Sequence, residues 1–225
     1  MRLVLTALQG LESALIAVDQ LSALFCSVSA DRTFHRISSL WSRSSSTRSL
    51  GNLLKSIGQF GCIVFLLHKF VAYFSHLNAD GDSGLQTTPK EVNGENKAQS
   101  GFKGSVVNQA FAVAVKKILD GYISALNTVH TSVSLRRNLK NSNGGCLTSV
   151  GDTEVTVLEV YLHTKGLRTQ IEALGNICQI CDTAYSFSLS SFEDLSAKAN
   201  LEFANFPRGG TLLTFLYTQL KVSSV

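Results

Sequence analysis

The stretch EVTVLEVYLHTKGLRTQIEALGNICQ, residues 154–179, predicts a long helix with one apolar face. Apolar residues that recur every three or four positions lie on the same side of a helix. Asp152 is placed to cap the start of this helix through its carboxylate. Gly166 costs about 1 kcal/mol relative to alanine in a helix, but the pattern continues beyond it. We therefore expect a bend or a close contact there, and a stripe formed by Val155, Leu158, Leu162, Leu167, Ile171, Leu174 and Cys178.

A second stretch, NFPRGGTLLTFLYTQLKV at residues 205–222, predicts a turn and a final helix. Pro207, Gly209 and Gly210 favour the turn, and the helix is expected from Thr211 onward. Just before it, Ser190 and Glu193 have the spacing of a capping box, in which each side chain bonds the other residue's backbone N–H. This pattern predicts a short helix that ends near residue 203.

The first 77 residues also carry helical periodicity. Residues 3–27 predict one amphipathic helix, and Asp31 is placed to cap a short helix that reaches residue 40. Residues 44–48 are polar and serine-rich, so the next helix is expected from about residue 49 to about residue 77, with Gly58 and Gly61 as candidate breaks. The expected apolar face of the first helix is Leu5, Leu8, Leu11, Leu15, Val18, Leu21 and Leu24.

Residues 78–104 contain five glycines and Pro89 among polar residues, and no apolar period survives there. A stretch of this length and composition predicts a flexible linker. It would divide the chain into a helical segment at 1–77 and another at 105–225. In the second segment, Ser105 is placed to cap a helix that runs to about residue 139, and residues 141–151 predict a loop. We expect an all-α protein, a helical bundle of about seven helices.

The most apolar window is FGCIVFLLHKFVAYF, residues 60–74. A membrane-spanning helix needs about 20 apolar residues, whereas this window is only fifteen residues long and includes His68 and Lys69. A buried core helix is the favoured interpretation, and a helix at a membrane surface is the alternative. Met1 and Arg2 precede a short apolar run like that of a signal peptide, but acidic residues follow and no cleavage site is evident.

Charged residues make up 16% of the 225 residues, and the formal net charge is +4. Soluble domains average about 25% charged residues. The low share is consistent with a surface that a partner covers, and equally with a compact domain whose surface is rich in serine and threonine. The basic residues are spread out and lack interleaved aromatic residues, which argues against nucleic-acid binding.

No motif in the chain carries catalytic or metal chemistry. Cys178 and Cys181 form a CxxC pair, but two further ligands at zinc-site spacing do not follow. The five histidines are never within four residues of one another, and a phosphate-binding loop with its lysine is absent. Five cysteines without framework spacing indicate a reducing compartment and thiols used in core packing. We expect no enzyme activity and no cofactor.

Interaction surface remains as the candidate functional feature. Lys165 and Arg168 accompany the apolar stripe of residues 154–179, and Arg208 precedes Gly209 and Gly210, where backbone can approach another surface closely. These five residues are candidate contacts with a neighbouring subunit. The alternative is a contact within the bundle.

Two segments, LEVYLHTKGLRTQIEALGNIC (158–178) and FEDLSAKANLEFANFPRGGTLLTFLYTQLKV (192–222), resemble the gamma-tubulin complex component family, in its fifth-component branch and plant form. Two further segments, ALQGLESALIAVDQLSALFC (7–26) and SVSLRRNLK (132–140), are consistent with the same branch. The similarity spans nearly the whole chain.

The resemblance implies a structural subunit, or a fragment of one, that supports microtubule nucleation. In that family, N-terminal helical bundles stand side by side and C-terminal bundles hold gamma-tubulin. The chain would then be an incomplete N-terminal lateral-association bundle, with other components as partners and gamma-tubulin bound indirectly. The implied location is the cytoplasm, at the cytoskeleton and the microtubule organising centre or spindle pole. The alternative function is a free-standing helical adaptor or a membrane-surface protein that uses residues 60–74.

Overall fold

The computed structural model describes residues 1–28, 38–76, 105–143, 156–186 and 192–223. Within these ranges the chain forms nine α-helices and no strand, which confirms the all-α helical bundle. Two predicted helices are each divided and one short helix, at residues 181–186, was not expected, whereas the end of the short helix expected at 31–40 lies within the helix that starts at Ser38. The helices are α1 (Arg2–Leu8), α2 (Glu12–Val28), α3 (Ser38–His76), α4 (Val106–Asn143), α5 (Val157–His163), α6 (Lys165–Ile177), α7 (Cys181–Ser186), α8 (Phe192–Asn205) and α9 (Gly210–Ser223).

Helix α3 is the centre of the bundle, because α1, α2, α4, α6, α7 and α8 all pack against it. Its segment 60–74 is buried on almost every side, apart from the exposed His68 and Lys69. This burial confirms the prediction of a core helix. Residues Thr47–Ser75 are long and apolar enough to cross a membrane by length and composition, but 67% of the most apolar window is buried inside the protein. A core helix of a soluble protein has the same composition.

Phe70 on α3 lies at the centre of an aromatic cluster that includes residues of α4, α8 and the turn after α8. Its ring lies 5.3 Å from that of Phe203 and 5.1 Å from that of Phe206, both nearly perpendicular to it. Phe111 on α4 meets the same ring at 5.9 Å and 90°. Edge-to-face pairs of this kind add about 0.5–1.5 kcal/mol each beyond the burial of area. The cluster therefore fixes α4 and α8 against α3.

The expected single helix over residues 3–27 is wrong. The chain instead forms two helices, α1 and α2, that meet at Gly10. Gly10 has a φ of +78°, and a Cβ there would lie 2.7 Å from the backbone nitrogen of Phe65. The turn thus presses onto the backbone of α3, which only glycine permits. Leu11 and Leu24, both predicted on the apolar face, are 47% and 54% exposed. Leu11 lies at the turn, and Leu24 lies nine residues after buried Leu15, on the opposite side of α2.

Buried polar groups secure the ends of these helices. The Tyr122 hydroxyl on α4 donates to the Leu8 carbonyl at 2.9 Å, so that it satisfies one of the free carbonyls at the end of α1. The Thr183 hydroxyl on α7 donates to the Glu202 carboxylate on α8. The first bond joins two helices that are distant in sequence, and the second joins two consecutive helices.

Three further boundaries differ from the expectation. Residues 44–48 lie within α3 rather than in a polar connection, and α3 continues through both Gly58 and Gly61. Helix α4 extends to Asn143, past the expected end near residue 139. Serine-rich stretches form helix when the flanking residues propagate it, because each added residue contributes a hydrogen bond after nucleation.

The predicted helix over 154–179 is interrupted at Thr164, not bent at Gly166. Gly166 lies inside α6, and a Cβ there would contact nothing within 4 Å. The stripe is confirmed at Ile171, Leu174 and Cys178, which are buried. It is wrong at Leu158 and Leu162, which are 54% and 59% exposed. The five-residue step from Leu162 to Leu167 turns a helix by about 140°, so the two halves of the stripe lie on different faces.

Several predictions fall on residues outside the described ranges. They are the short helix capped by Asp31, the linker at 78–104, most of the loop at 141–151, the cap at Asp152 and the capping box at Ser190. The division into two segments accordingly stays a prediction. The turn at 207–210 and the final helix are confirmed.

We expect Gly61→Ala to destabilise the protein by about 1–3 kcal/mol, the usual cost of overpacking a filled core. The added methyl group would collide with the carbonyl oxygen of Ala7 and the side chain of Leu15. Gly121→Ala on α4 is the matched control, since that position is exposed and open, and it should stabilise by about 0.5–1 kcal/mol. Urea unfolding followed by circular dichroism measures both. Equal effects of the two substitutions would contradict the close approach of α1 and α3.

Candidate interaction surface

Helix α5 begins at a complete capping box. The Glu159 backbone N–H donates to the Thr156 hydroxyl at 3.3 Å, and the Thr156 backbone N–H donates to the Glu159 carboxylate at 2.9 Å. The Thr156 hydroxyl also donates to that carboxylate. The reciprocal bonds fix the start of α5. The Glu159 carboxylate thus accepts hydrogen bonds from within its own helix cap.

Lys165 and Arg168, two of the predicted contact residues, lie in different surroundings on α6. Lys165 is exposed, whereas Arg168 is only 9% exposed. The guanidinium of Arg168 stacks on the ring of Tyr161, with its carbon 3.6 Å from the ring centre, and its Nη2 donates to the Tyr161 carbonyl at 3.0 Å. Its Nε is buried without a hydrogen-bond partner.

No carboxylate of the described residues pairs with Arg168. A buried charge without a counter-ion is costly unless hydrogen bonds or a partner compensate it. The stack on Tyr161 and one carbonyl bond compensate it only in part, since cation–π contacts contribute about 2 kcal/mol when desolvated. Arg168 is therefore an incompletely satisfied cation just below the surface.

The other predicted contact residues, Arg208, Gly209 and Gly210, form the turn before α9. Buried Asn108 on α4 holds this turn: its Nδ2 donates to the Pro207 carbonyl at 2.8 Å, and the Gly209 N–H donates to its Oδ1 at 2.9 Å. Gly209 has a φ of +57°, which favours glycine. The Arg208 guanidinium donates to the Ala204 carbonyl at 3.1 Å. The turn thus has a contact within the bundle, while Gly210 is exposed.

The two groups of predicted residues do not meet in one patch. The turn contacts α4 at Asn108. Arg168, on α6, lies near Tyr122 of α4. Burial raises the pKa of the Tyr122 hydroxyl, and the positive charge of Arg168 opposes that rise. Fourteen residues separate Asn108 from Tyr122, which is about 21 Å along a helix. A partner would have to span that distance to touch both groups.

Apolar side chains are exposed on α4 and on α9. Val106 and Val113 on α4 are 77% and 53% exposed, and Leu213 and Tyr217 on α9 are similarly open. Lys221 lies 4.8 Å from the Tyr217 ring centre. Exposed apolar groups that lie next to one another mark interaction surfaces more often than isolated ones do.

A surface groove lies between α3 and the exposed face of α5. Its volume is about 490 Å³, and it is lined by Ser49, Leu50, Asn52, Leu53, Ser56, Leu158 and Tyr161. Leu158, which the sequence had predicted to be buried, forms part of its wall. Each side of the groove contributes an exposed leucine, Leu50 from α3 and Leu158 from α5.

The described cysteines are free thiols, and both members of the CxxC pair are buried, as core packing predicts. Cys62, Cys178 and Cys181 are buried, and Cys26 is half-buried. Burial raises the pKa of the Cys62 thiol to about 12, with a further contribution from Asp19. Burial also raises the pKa of the Cys181 thiol to about 11, and Glu172 and Asp182 add to that rise. Among the described residues no group of three or more His, Cys, Asp or Glu side chains could hold a metal ion.

Sequence reasoning missed the groove and Asn108. The two walls of the groove come from residues about 105 positions apart in the sequence, so no local sequence pattern predicts it. Asn108, by contrast, had a signal: it lies four residues before Ala112 and seven before Val115, both buried. A polar residue in phase with an apolar stripe indicates a buried hydrogen-bonding group.

Comparison with protein families gives one match. The family model described as gamma tubulin complex component N-terminal matches residues 1–224. Neither a curated protein nor a solved structure matches the chain.

We expect Asn108→Ala to destabilise the protein by about 2–3 kcal/mol, because two hydrogen bonds are lost and the turn's backbone groups lose their partner. Asn127→Ala is the matched control, since the exposed Asn127 makes a side-chain contact with Gln9 alone, and surface changes of that kind usually stay within about 0.5 kcal/mol. Urea unfolding gives the free energies. Hydrogen exchange should also become faster in α9, and unchanged exchange there would contradict the role of Asn108 in holding the turn.

We expect iodoacetamide at pH 7.5 to modify Cys26 before Cys62, Cys178 and Cys181. The thiolate is the reacting form, and the raised pKa values of Cys62 and Cys181 keep those thiols protonated until the pH approaches 11–12. Peptide mass spectrometry resolves each cysteine, and unfolding in urea should make all of them reactive. Rapid modification of Cys178 or Cys181 in the folded protein would argue instead for a reactive CxxC pair.

Proposed function

Since this chain belongs to the gamma-tubulin complex component family, we propose that its helical bundle holds it beside neighbouring components of that complex through lateral helix contacts. The family consists of structural components of the gamma-tubulin complex, which acts in microtubule nucleation, and it is not a family of enzymes. Members associate with cytoplasmic microtubule-organising centres. Placement at the spindle pole, and in the fifth-component branch in its plant form, is part of the proposal.

The observation that carries the proposal is the match of the family's N-terminal region over residues 1–224, nearly every residue of the chain. It is supported by apolar side chains that the described bundle leaves exposed on α4, α5 and α9. Apolar area of this kind contributes about 25 cal/mol per Å² when a partner covers it. Lateral contact with another helical bundle would bury such faces.

The proposed contacts include the predicted residues, with different roles. Lys165 and Gly210 are exposed and can touch a neighbour directly. Arg208 and Gly209 are half-buried, and they position the turn from which α9 projects. Arg168 lies beneath the surface and contributes charge.

We propose that contact with gamma-tubulin is indirect, through other components. The matched region is the N-terminal one, which supports assignment of residues 1–224 to contacts between components. Side-by-side components raise the effective concentration of the molecules they hold, because the second binding event becomes intramolecular. In that arrangement the chain contributes to nucleation through position.

The membrane-surface alternative needs the apolar side chains of residues 60–74 to reach lipid. In this fold the other helices cover them. Exposing them would cost the burial energy of the core, about 1.5–3 kcal/mol for each large apolar side chain. The free-standing adaptor therefore remains the competing function.

The test is affinity purification of the tagged chain from cells of its source, with quantitative mass spectrometry of the partners. We expect enrichment of other gamma-tubulin complex components over a tag-only control, and of gamma-tubulin along with them. Recovery of neither by a folded, monomeric chain would rule out the proposal and favour the adaptor. Purified gamma-tubulin alone should not bind the purified chain, and tight binding there would show that the contact is direct.

A further inference from the structure

The groove between α3 and α5 has the dimensions of a helix-binding site. Its α3 wall runs from Ser49 to Ser56, seven residue steps or about 10 Å along the helix axis. That length matches two turns of an opposing helix, whose apolar residues recur at i, i+3, i+4 and i+7. Leu50, Leu53 and Leu158 supply the apolar wall for them.

The rim of this groove is basic. Arg48 and Lys55 are exposed on α3, four residues before and three residues after the lining residue Asn52. Residues at these spacings are neighbours on a helix surface. On the opposite wall Lys165 is exposed, one turn after Tyr161. None of the described residues that line the groove is acidic.

A fourth positive charge lies directly behind the lining. Arg168 stacks on Tyr161, whose side chain borders the groove, and its buried Nε has no partner among the described residues. The nearby carboxylate of Glu159 accepts bonds from its own helix cap. Charge in a poorly solvated position acts at longer range than charge in water, because the effective dielectric constant is lower. The groove consequently favours an acidic occupant.

We propose that this groove binds an acidic amphipathic helix of a neighbouring component, with its apolar face on Leu50, Leu53 and Leu158 and its carboxylates toward Lys55, Lys165 and Arg168. The inference rests on the proposed function, because the neighbouring component is the source of the helix. It adds the location of the contact and the chemistry of the partner. The charges set the register and speed the encounter, and the leucines supply the buried area.

The first test compares two double charge reversals in the full chain, purified from cells. Lys55→Glu with Lys165→Glu changes the groove, while Lys69→Glu with Lys198→Glu makes the same charge change at exposed positions of α3 and α8 outside the groove lining. We expect the groove variant to recover at least tenfold less of the neighbouring component, and the control to recover as much as the unaltered chain. Circular dichroism confirms that both variants fold. Equal recovery by both variants would overturn the inference.

The second comparison separates the apolar contribution from the charges. Leu158→Glu places a carboxylate in the groove, and Leu201→Glu places one on α8, where the leucine is 68% exposed. Both positions are open in the folded chain, so neither change disturbs the core. We expect a tenfold or greater loss of recovery for Leu158→Glu alone. An equal loss for both would argue against the groove.

A zero-length carbodiimide cross-link identifies the occupant, because it joins lysine amines to carboxylates in direct contact. In the recovered complex, Lys55 and Lys165 should link to aspartate or glutamate residues within one helix of another component. Links only to a second copy of this chain, or none to another protein, would overturn the inference. If the unaltered chain recovers no component at all, the proposed function fails first. If it recovers components but the groove variants do so equally, only the groove assignment fails.

Discussion

Burial of residues 60–74 is the constraint on which the rest of the structure depends. Six helices pack against α3, and each does so by burying its own apolar face on this segment or beside it. Close approach there requires the small residues Gly10 and Gly61, since both lie against the backbone of another helix. The aromatic cluster around Phe70 then fixes the positions of α4 and α8. Without a filled α3 surface, the shorter helices would be marginal, because isolated helices below about 12–15 residues are rarely stable in water.

Most of the buried polar groups described above have hydrogen-bond partners. Tyr122 satisfies the end of α1, and Asn108 satisfies the turn before α9. Arg168 is the exception among the described residues, with a buried Nε that lacks a partner. Native proteins leave few buried polar groups unpaired. The acidic helix proposed for the groove would supply negative charge close to Arg168.

The buried thiols are held protonated, and the hydrogen-bonding side chains of the described residues serve caps, turns and helix contacts. The exposed apolar side chains of the described helices suit association with another protein. Membership of the gamma-tubulin complex component family gives this surface its context.

The sequence by itself determined the helical class, the core position of residues 60–74, the final turn and helix, and the family. These follow from local periodicity and from short segments, which need no knowledge of neighbours. Tertiary structure decided the break at Gly10, the interruption at Thr164 and the outward position of Leu158 and Leu162. It also decided that Arg168 is buried on Tyr161 and that Leu50 faces Leu158 across a groove. A helical pattern shows which residues share a face, but only the packing of helices distant in sequence determines whether that face is covered.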